Sequence, residues 1–164
     1  MTWPCQWVNP TILRQLGECD GVVYGMGSLY TSIVPSLILE GVGEAIAARS
    51  GPKVLIINGG SDREIGKMTA SEYVMAVCNA LNRAADPDPN RRCNFAVGDY
   101  ISAVLAPEDG GIPLDVEELE RLGITHVEVV PAKANDRGAE YDSEVGWSKL
   151  IPLKPVLKMS VERA

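Results

Sequence analysis

The sequence is poor in the residues that build metal centres and nucleophilic triads. Its 164 residues include one histidine, His126, and four cysteines without C-x-x-C spacing: Cys5, Cys19, Cys78 and Cys93. A structural zinc site needs about four thiolate or imidazole ligands at short spacings, so zinc does not fit this pattern. Because the chain is long enough for a core and shows no signal peptide, the cysteines favour reduced thiols and a cytoplasmic protein.

Long apolar runs and an excess of basic residues are also lacking. No run approaches the roughly 20 apolar residues that span a bilayer, so no membrane is expected as a partner. Fifteen Lys and Arg against 22 Asp and Glu give a net charge of −7. A nucleic-acid binder is usually basic over its contact face, so nucleic acid is not expected either. The chain has the composition and length of one globular domain over residues 1–164.

Short apolar runs alternate with helical segments along the chain. Strands are predicted at 21–25, 53–58, 100–106 and 125–130, and helices at 9–18, in two pieces within 31–49, at 69–84 and at 114–123. Asn9, Thr69 and Asp115 are predicted N-caps, and Glu72 completes a capping box with Thr69. The order β-α-β-α-β-α-β predicts an α/β fold, a Rossmann-like three-layer sandwich with a mostly parallel sheet and helices on both faces.

The stretch "GVVYGMGSLYTS" passes from a predicted buried strand directly into glycines and hydroxyl-bearing residues. Ligands of parallel sheets bind at the carboxyl ends of the strands. Gly25 and Gly27 lack the Cβ atoms that would keep a ligand from the backbone, and a helix starting near Ser28 or Thr31 would aim unpaired amides at the same point. The hydroxyls available to a phosphate are those of Ser28, Thr31 and Ser32. The alternative is that Ser28 only caps a helix and the glycines only permit a turn, since the Walker lysine and the full G-x-G-x-x-G are absent.

The loop after the second predicted strand, "NGGSDREIGKMT", adds polar side chains at the same edge of the sheet. Asn58 supplies an amide, Arg63 could pair with a phosphate, and Asp62 could meet a metal or a ribose. The alternative is a solvated, charged turn from Asp62 to Glu64 that precedes a capped helix.

These residues carry a resemblance to a known family. "GVVYGMGSLYTSIVPSLILEGVGEAI" resembles the shared signature of the 2-phospho-L-lactate transferase family and its bacterial relatives, the gluconeogenesis factors. "NPTILRQLGECD", "KVLIIN" and "GIPLDVEELERLGITHVEVV" resemble the neighbouring elements, so the resemblance spans most of residues 9–130 and is weak over 131–164. The gluconeogenesis-factor loop reads G-P-G-S-L-Y-T-S, which this chain matches except at Met26. The transferase loop reads roughly G-P-S-N-P-x-T-S, and it matches here at Gly25, Thr31 and Ser32.

The resemblance implies a domain that binds a nucleotide or a nucleotide sugar. In the transferase branch a phospholactyl group moves from a guanosine diphosphate carrier to a deazaflavin, with a divalent metal such as Mg²⁺. The gluconeogenesis-factor branch is implied to bind uridine nucleotide sugars, and an inactive interaction module is a third alternative. Of the family's G-E-T block after the second strand, only Glu64 matches. Loop chemistry and resemblance together predict that the ligand contacts Gly25, Gly27, Ser28, Tyr30, Thr31, Ser32, Asn58 and Glu64.

Members of this family begin with a glycine-rich strand–turn–helix, G-G-G-T-G, whereas this sequence opens with "MTWPCQWVNP". The chain therefore resembles a C-terminal portion, an incomplete domain whose metal would bind only with the N-terminal half supplied. That half would cover one edge of the sheet, and its absence would leave strands such as "KVLIIN" with an unpaired neighbour. We expect the chain to form homo-oligomers or to depend on the missing segment.

Overall fold

A four-stranded parallel sheet organises the protein. The structure, a computed structural model, describes residues 7–60, 64–135 and 138–141. The strands are β1 (Val22–Tyr24), β2 (Lys53–Ile56), β3 (Ala103–Pro107) and β4 (His126–Val130), in the spatial order β1-β2-β3-β4. The α-helices are α1 (Pro10–Glu18), α2 (Val34–Leu37), α3 (Val42–Ala47), α4 (Ala70–Leu81), α5 (Val97–Tyr100) and α6 (Val116–Arg121). The predicted α/β, Rossmann-like fold is confirmed.

One face of this sheet carries the main hydrophobic core. Every described α-helix contributes side chains to this core, so in this part of the chain the helices pack on one face of the sheet rather than on the two faces that the sequence predicted. The reason is that right-handed crossovers between sequential parallel strands place successive helices on the same face. Tyr24, Leu55 and Val104 align in register across three strands and point into this core. There they meet fully buried side chains of α4, among them Tyr73 and Leu81. The α4 helix is thus the central support under the sheet.

The opposite face holds a smaller cluster. It consists of Val54, Ala103, Leu105 and Val130. A two-stranded antiparallel hairpin, β5 (Ala132–Asn135) with β6 (Gly138–Tyr141), follows β4. Tyr141 packs against the cluster, and its hydroxyl donates to the carbonyl oxygen of Ile57 at 2.6 Å. Within the described part of the chain, this hairpin anchors the second face. The predicted final helix at "SEVGWSKLI" lies outside the described residues.

Strand β1 is an edge strand, which corrects the prediction of a buried strand at 21–25. It pairs with β2 alone among the described residues. Val23 is 56% exposed, whereas Tyr24, which faces the helices, is buried. The β2 strand itself pairs with β1 on one side and β3 on the other, so at this end of the sheet β1 is the described strand with an unpaired side.

Two predicted boundaries were wrong. The segment predicted as a strand from 100 begins as a helix, because Asp99 accepts a hydrogen bond from the Ala96 amide at 2.9 Å and closes a helical turn that ends at Tyr100. The strand itself starts at Ala103. The α4 helix ends at residue 81 rather than 84, since Arg83 takes a φ of 51°, outside helical geometry.

Two of the three predicted caps act as expected. Asn9 accepts from the Thr11 amide at 2.9 Å, and Thr69 and Glu72 form the predicted capping box at the start of α4. Asp115 is the N-cap residue of α6, as predicted, but its side chain makes no hydrogen bond to that helix.

Candidate functional site

The loops that follow β1, β2 and β3 meet at the carboxyl edge of the sheet. Gly27, after β1, exchanges two hydrogen bonds with the side chain of Asn58, after β2. The amide of Gly111, after β3, donates to the carbonyl of Gly59 at 3.1 Å. The loop at 25–32 thus lies at the strand ends where ligands of parallel sheets bind, as the sequence predicts.

Asn58 and Gly27 form a reciprocal pair. The Gly27 amide donates to Oδ1 of Asn58 at 3.0 Å, and Nδ2 of Asn58 donates to the Gly27 carbonyl at 2.8 Å. The hydroxyl of Tyr73, fully buried in α4, lies 3.5 Å from the same carbonyl. The backbone N–H and the backbone carbonyl of Gly27 are therefore both held by side chains from outside the loop.

The chain then enters a π-helical turn, Leu29–Ile33. The amides of Ser32 and Ile33 both donate to the carbonyl of Ser28, at 2.9 and 3.2 Å. Ser28 stands at the N-cap position of this turn, as the alternative from sequence expected, but its side chain makes no capping hydrogen bond. Wide turns of this kind occur frequently at functional sites.

A carboxylate occupies the position that a cap would take. The Oε2 atom of Glu64 accepts from the amides of Tyr30 at 3.0 Å and Thr31 at 3.3 Å. Unpaired amides at the start of a helical turn attract negative charge, since their N–H groups and the backbone dipoles point the same way. The two amides of loop 25–32 thus converge on one anionic oxygen.

The two glycines of the loop differ in what they permit. A Cβ atom on Gly27 would lie 3.1 Å from Cβ of Ser32, whereas a Cβ on Gly25 would meet nothing within 4 Å. Neither glycine has a φ in the left-handed region. A side chain at position 27 would therefore require Ser32 to shift by a few tenths of an ångström, while Gly25 leaves open space beside an exposed backbone.

The predicted site residues divide by exposure. Gly25, Tyr30, Thr31, Ser32 and Glu64 are exposed. Gly27, Ser28 and Asn58 are half-buried. Asp62 and Arg63, which the sequence also singled out, lie outside the described residues. The exposed hydroxyls of Thr31 and Ser32 stand on the turn whose amides hold Glu64.

One anchor near this edge was missed by sequence reasoning. Asp115 accepts from the Ser71 amide at 2.9 Å and from the Ser71 hydroxyl at 2.5 Å, at the start of α4. Burial opposes its ionisation, but these hydrogen bonds outweigh that effect and lower the pKa of Asp115. Together with the capping box at Thr69 they occupy the beginning of α4. No local pattern links residues 44 positions apart, so only the fold reveals the contact.

The described residues contain no group of three or more His, Cys, Asp or Glu placed to hold a metal ion. Cys19, Cys78 and Cys93 are free thiols, while Cys5 lies outside the described range. Burial raises the pKa of Cys78 to about 12, which keeps it a thiol at neutral pH. None of the described helices has the length and apolar character needed to cross a membrane.

A parallel α/β sheet with polar loops of neighbouring strands joined at its carboxyl edge defines a Rossmann-like protein. The chain belongs to the family described as 2-phospho-L-lactate transferase CofD, whose model matches residues 4–136. The gluconeogenesis factor of Listeria innocua is 49% identical over 125 residues, which cover 70% of this chain and 35% of that protein. An uncharacterised protein of Saccharomyces cerevisiae is 30% identical over 123 residues, 71% of this chain and 28% of the other.

The fold is shared with a solved structure. A crystal structure of a UPF0052 family protein from Bacillus halodurans superposes with a TM-score of 0.68 at 20% identity, over 88% of this chain and 47% of that one. The chain thus spans about a third of the curated relatives it matches and about half of this structural neighbour.

Proposed function

We propose that this chain binds a nucleotide or a nucleotide sugar and holds its phosphate on loop 25–32. The observation that carries the proposal is the convergence of the Tyr30 and Thr31 amides on one carboxylate oxygen of Glu64. A phosphate oxygen has the same charge and accepts the same hydrogen bonds, so it can replace this carboxylate without rearranging the amides. Membership of the 2-phospho-L-lactate transferase CofD family supports a nucleotide-type ligand.

The side chains around these amides suit a phosphate. Thr31 and Ser32 are exposed beside them and bring hydroxyl donors. Gly25 adds backbone that nothing in its immediate surroundings covers. In this proposal Glu64 moves away when the ligand binds. Its carboxylate occupies the place that the phosphate takes in the complex, and it does not contact the phosphate.

The test is titration calorimetry with uridine diphosphate, a uridine diphosphate sugar and guanosine diphosphate. We expect one of these to bind, and Thr31→Val to weaken that binding about three- to tenfold through loss of one hydroxyl donor. Thr11→Val, on the exposed side of α1, is the matched control and should bind as the unmodified chain does. No heat of binding with any of the three ligands would refute the proposal. The result would then favour the alternative of an inactive interaction module.

A second candidate is phospholactyl transfer, which the matching family model favours by its description. It requires a deazaflavin acceptor and a guanosine diphosphate carrier in addition to the phosphate site. Incubation with both substrates and Mg²⁺, followed by mass spectrometry of the deazaflavin, tests it. Uridine-specific binding without product would instead place the chain with the gluconeogenesis factors.

A further inference from the structure

We infer that Asn58 is a positioning residue, which sets the geometry of the phosphate loop through Gly27 and does not itself contact the ligand. The inference rests on the function proposed above. It changes the role of Asn58 from the one predicted from sequence, where its amide was a candidate ligand contact.

The first argument is that the Asn58 amide is oriented by Gly27. Its Oδ1 accepts from the Gly27 amide at 3.0 Å and its Nδ2 donates to the Gly27 carbonyl at 2.8 Å. Both are of normal length for N–H···O hydrogen bonds. One N–H and one lone pair of the amide are left, but the two bonds to Gly27 fix its plane, and the residue is half-buried.

The second argument is that Asn58 stands on a rigid base. The amide of Ile57, itself 1% exposed, donates to the Leu105 carbonyl at 2.9 Å and continues the β2–β3 pairing past the end of β2. On the other side, the Gly59 carbonyl accepts from Gly111 at 3.1 Å. The backbone is thus tied to β3 and its loop on both sides of Asn58, so the side chain can impose its position on a neighbour.

The third argument concerns what Gly27 controls. Its Cα approaches Ser32 so closely that an added Cβ would lie 3.1 Å from the Ser32 Cβ. Fixing the Gly27 peptide therefore fixes the entry to the π-helical turn, whose amides at Tyr30 and Thr31 hold the Glu64 carboxylate. Without the hydrogen bonds to Asn58, the backbone at Gly27 would become more mobile, and the Tyr30 and Thr31 amides would no longer be held in one orientation. Anions bind more weakly to amides that must first be ordered.

The experiment compares Asn58→Ala with Asn79→Ala, a matched control on the exposed side of α4. Amide exchange followed by NMR reports on the loop without ligand, and calorimetry with the nucleotide bound by the unmodified chain reports on the site. In Asn58→Ala we expect the Gly27 amide to exchange about tenfold faster, with unchanged exchange at Val77 and Leu81 in the core of α4. We expect nucleotide affinity to fall about five- to tenfold, and the control to match the unmodified chain in both measurements.

Asn58→Asp is the second variant, since it keeps the acceptor for the Gly27 amide and replaces the donor to the Gly27 carbonyl. It should retain protection of the Gly27 amide and still bind nucleotide more weakly. Unchanged exchange at Gly27 in Asn58→Ala, or faster exchange with full nucleotide affinity, would overturn the inference. If the unmodified chain binds no nucleotide, the proposed function fails, while the exchange data still decide whether Asn58 holds the loop.

Discussion

The guanidinium of Arg83 donates hydrogen bonds to both carboxylate oxygens of Glu44, which ties the end of α4 to the beginning of α3. Arg83 is 6% exposed and adopts a φ of 51°, a conformation that costs free energy for a residue with a Cβ. Its guanidinium also donates to the sulfur of Cys93 at 3.0 Å. The hydrogen bonds to Glu44 and Cys93 are thus made by a residue whose backbone conformation is unfavourable.

This pair predicts acid sensitivity. The hydrogen bond from Arg83 lowers the pKa of Glu44 from 4.5 to about 2. A lowered pKa means that the stabilisation is present above pH 4.5 and is lost as the pH falls towards 2. We expect Glu44→Gln to be less stable than the unmodified chain at neutral pH, and the difference to shrink at low pH, in urea unfolding monitored by circular dichroism. Glu118→Gln, in the exposed pair with Arg121, is the control and should change little at any pH.

Gly27→Ala tests the close approach of the loop. Its new methyl group would lie 3.1 Å from the Ser32 Cβ, so either the loop or the turn must shift. We expect a loss of about 1 kcal/mol or more in unfolding free energy, together with weaker nucleotide binding. Gly25→Ala places its methyl group in open space and should leave stability nearly unchanged. Equal stability of the two variants would contradict the geometry, and full nucleotide affinity in a folded Gly27→Val protein would count against the phosphate site.

Glu64→Gln tests the carboxylate on the loop amides. Removing its charge takes away a negative group that a phosphate must displace from Tyr30 and Thr31. We expect phosphate or nucleotide affinity to rise about two- to fivefold at low salt, with a smaller gain at high salt because the repulsion is screened. Glu117→Gln, on the exposed side of α6, should have no such effect. A fall in affinity would instead assign Glu64 to the bound ligand, as the sequence alone suggested.

Asp115→Ala tests the contact between α6 and α4. Its carboxylate accepts from both the amide and the hydroxyl of Ser71, so its removal leaves the beginning of α4 with fewer hydrogen bonds. We expect a loss of about 1–2 kcal/mol in unfolding free energy, the usual range for removing such a group from a helix start. Glu120→Ala on α6 should cost far less. Similar losses in the two variants would show that the Ser71 contact contributes nothing particular to stability.

The sequence predicted the elements best where a local rule decided them. The capping box at Thr69 and the unbroken apolar run of β2 each act over a few residues, and both were recognised correctly. The location of loop 25–32 at the carboxyl edge followed from the β-α-β order alone. The residues predicted to contact a ligand remain predictions.

The sequence did not reveal contacts between distant segments. The Gly27–Asn58 pair and the Ser71–Asp115 pair bridge 31 and 44 positions, and both depend on which loops the strand order brings together. The exposure of Val23 has the same origin, since an apolar run looks alike in a central strand and in an edge strand. The helical turn at Val97–Tyr100 has the same origin, since its start is held by a hydrogen bond to the Asp99 side chain that the apolar run of the following strand does not reveal.

Strand β1 predicts self-association of the isolated chain. Among the described residues it pairs on one side only, and Val23 is 56% exposed on it. Exposed edges of this kind recruit further strands. We expect concentration-dependent oligomers by light scattering, and fewer of them in Val23→Lys, since a charge on an edge strand disfavours pairing. Ile12→Lys on α1 is the control, because it adds the same charge at a similarly exposed apolar residue that lies on a helix and not on a strand. A monomer at all concentrations would contradict the prediction.

The sequential strand order has a consequence for folding. Each of β2, β3 and β4 pairs with the strand that precedes it in the chain, but each parallel pairing needs a crossover, and the paired residues Val22 and Lys53, Val54 and Ala103, and Ala103 and His126 are far apart in sequence. Such non-local pairing makes the formation of the sheet slow, because the entropy of closing each crossover must be lost before the strands can pair. The hydroxyl of Tyr141 makes a longer connection still, because it reaches the Ile57 carbonyl across 84 positions. Docking of the β5–β6 hairpin is therefore expected to be a late event, completed only after the parallel sheet has formed.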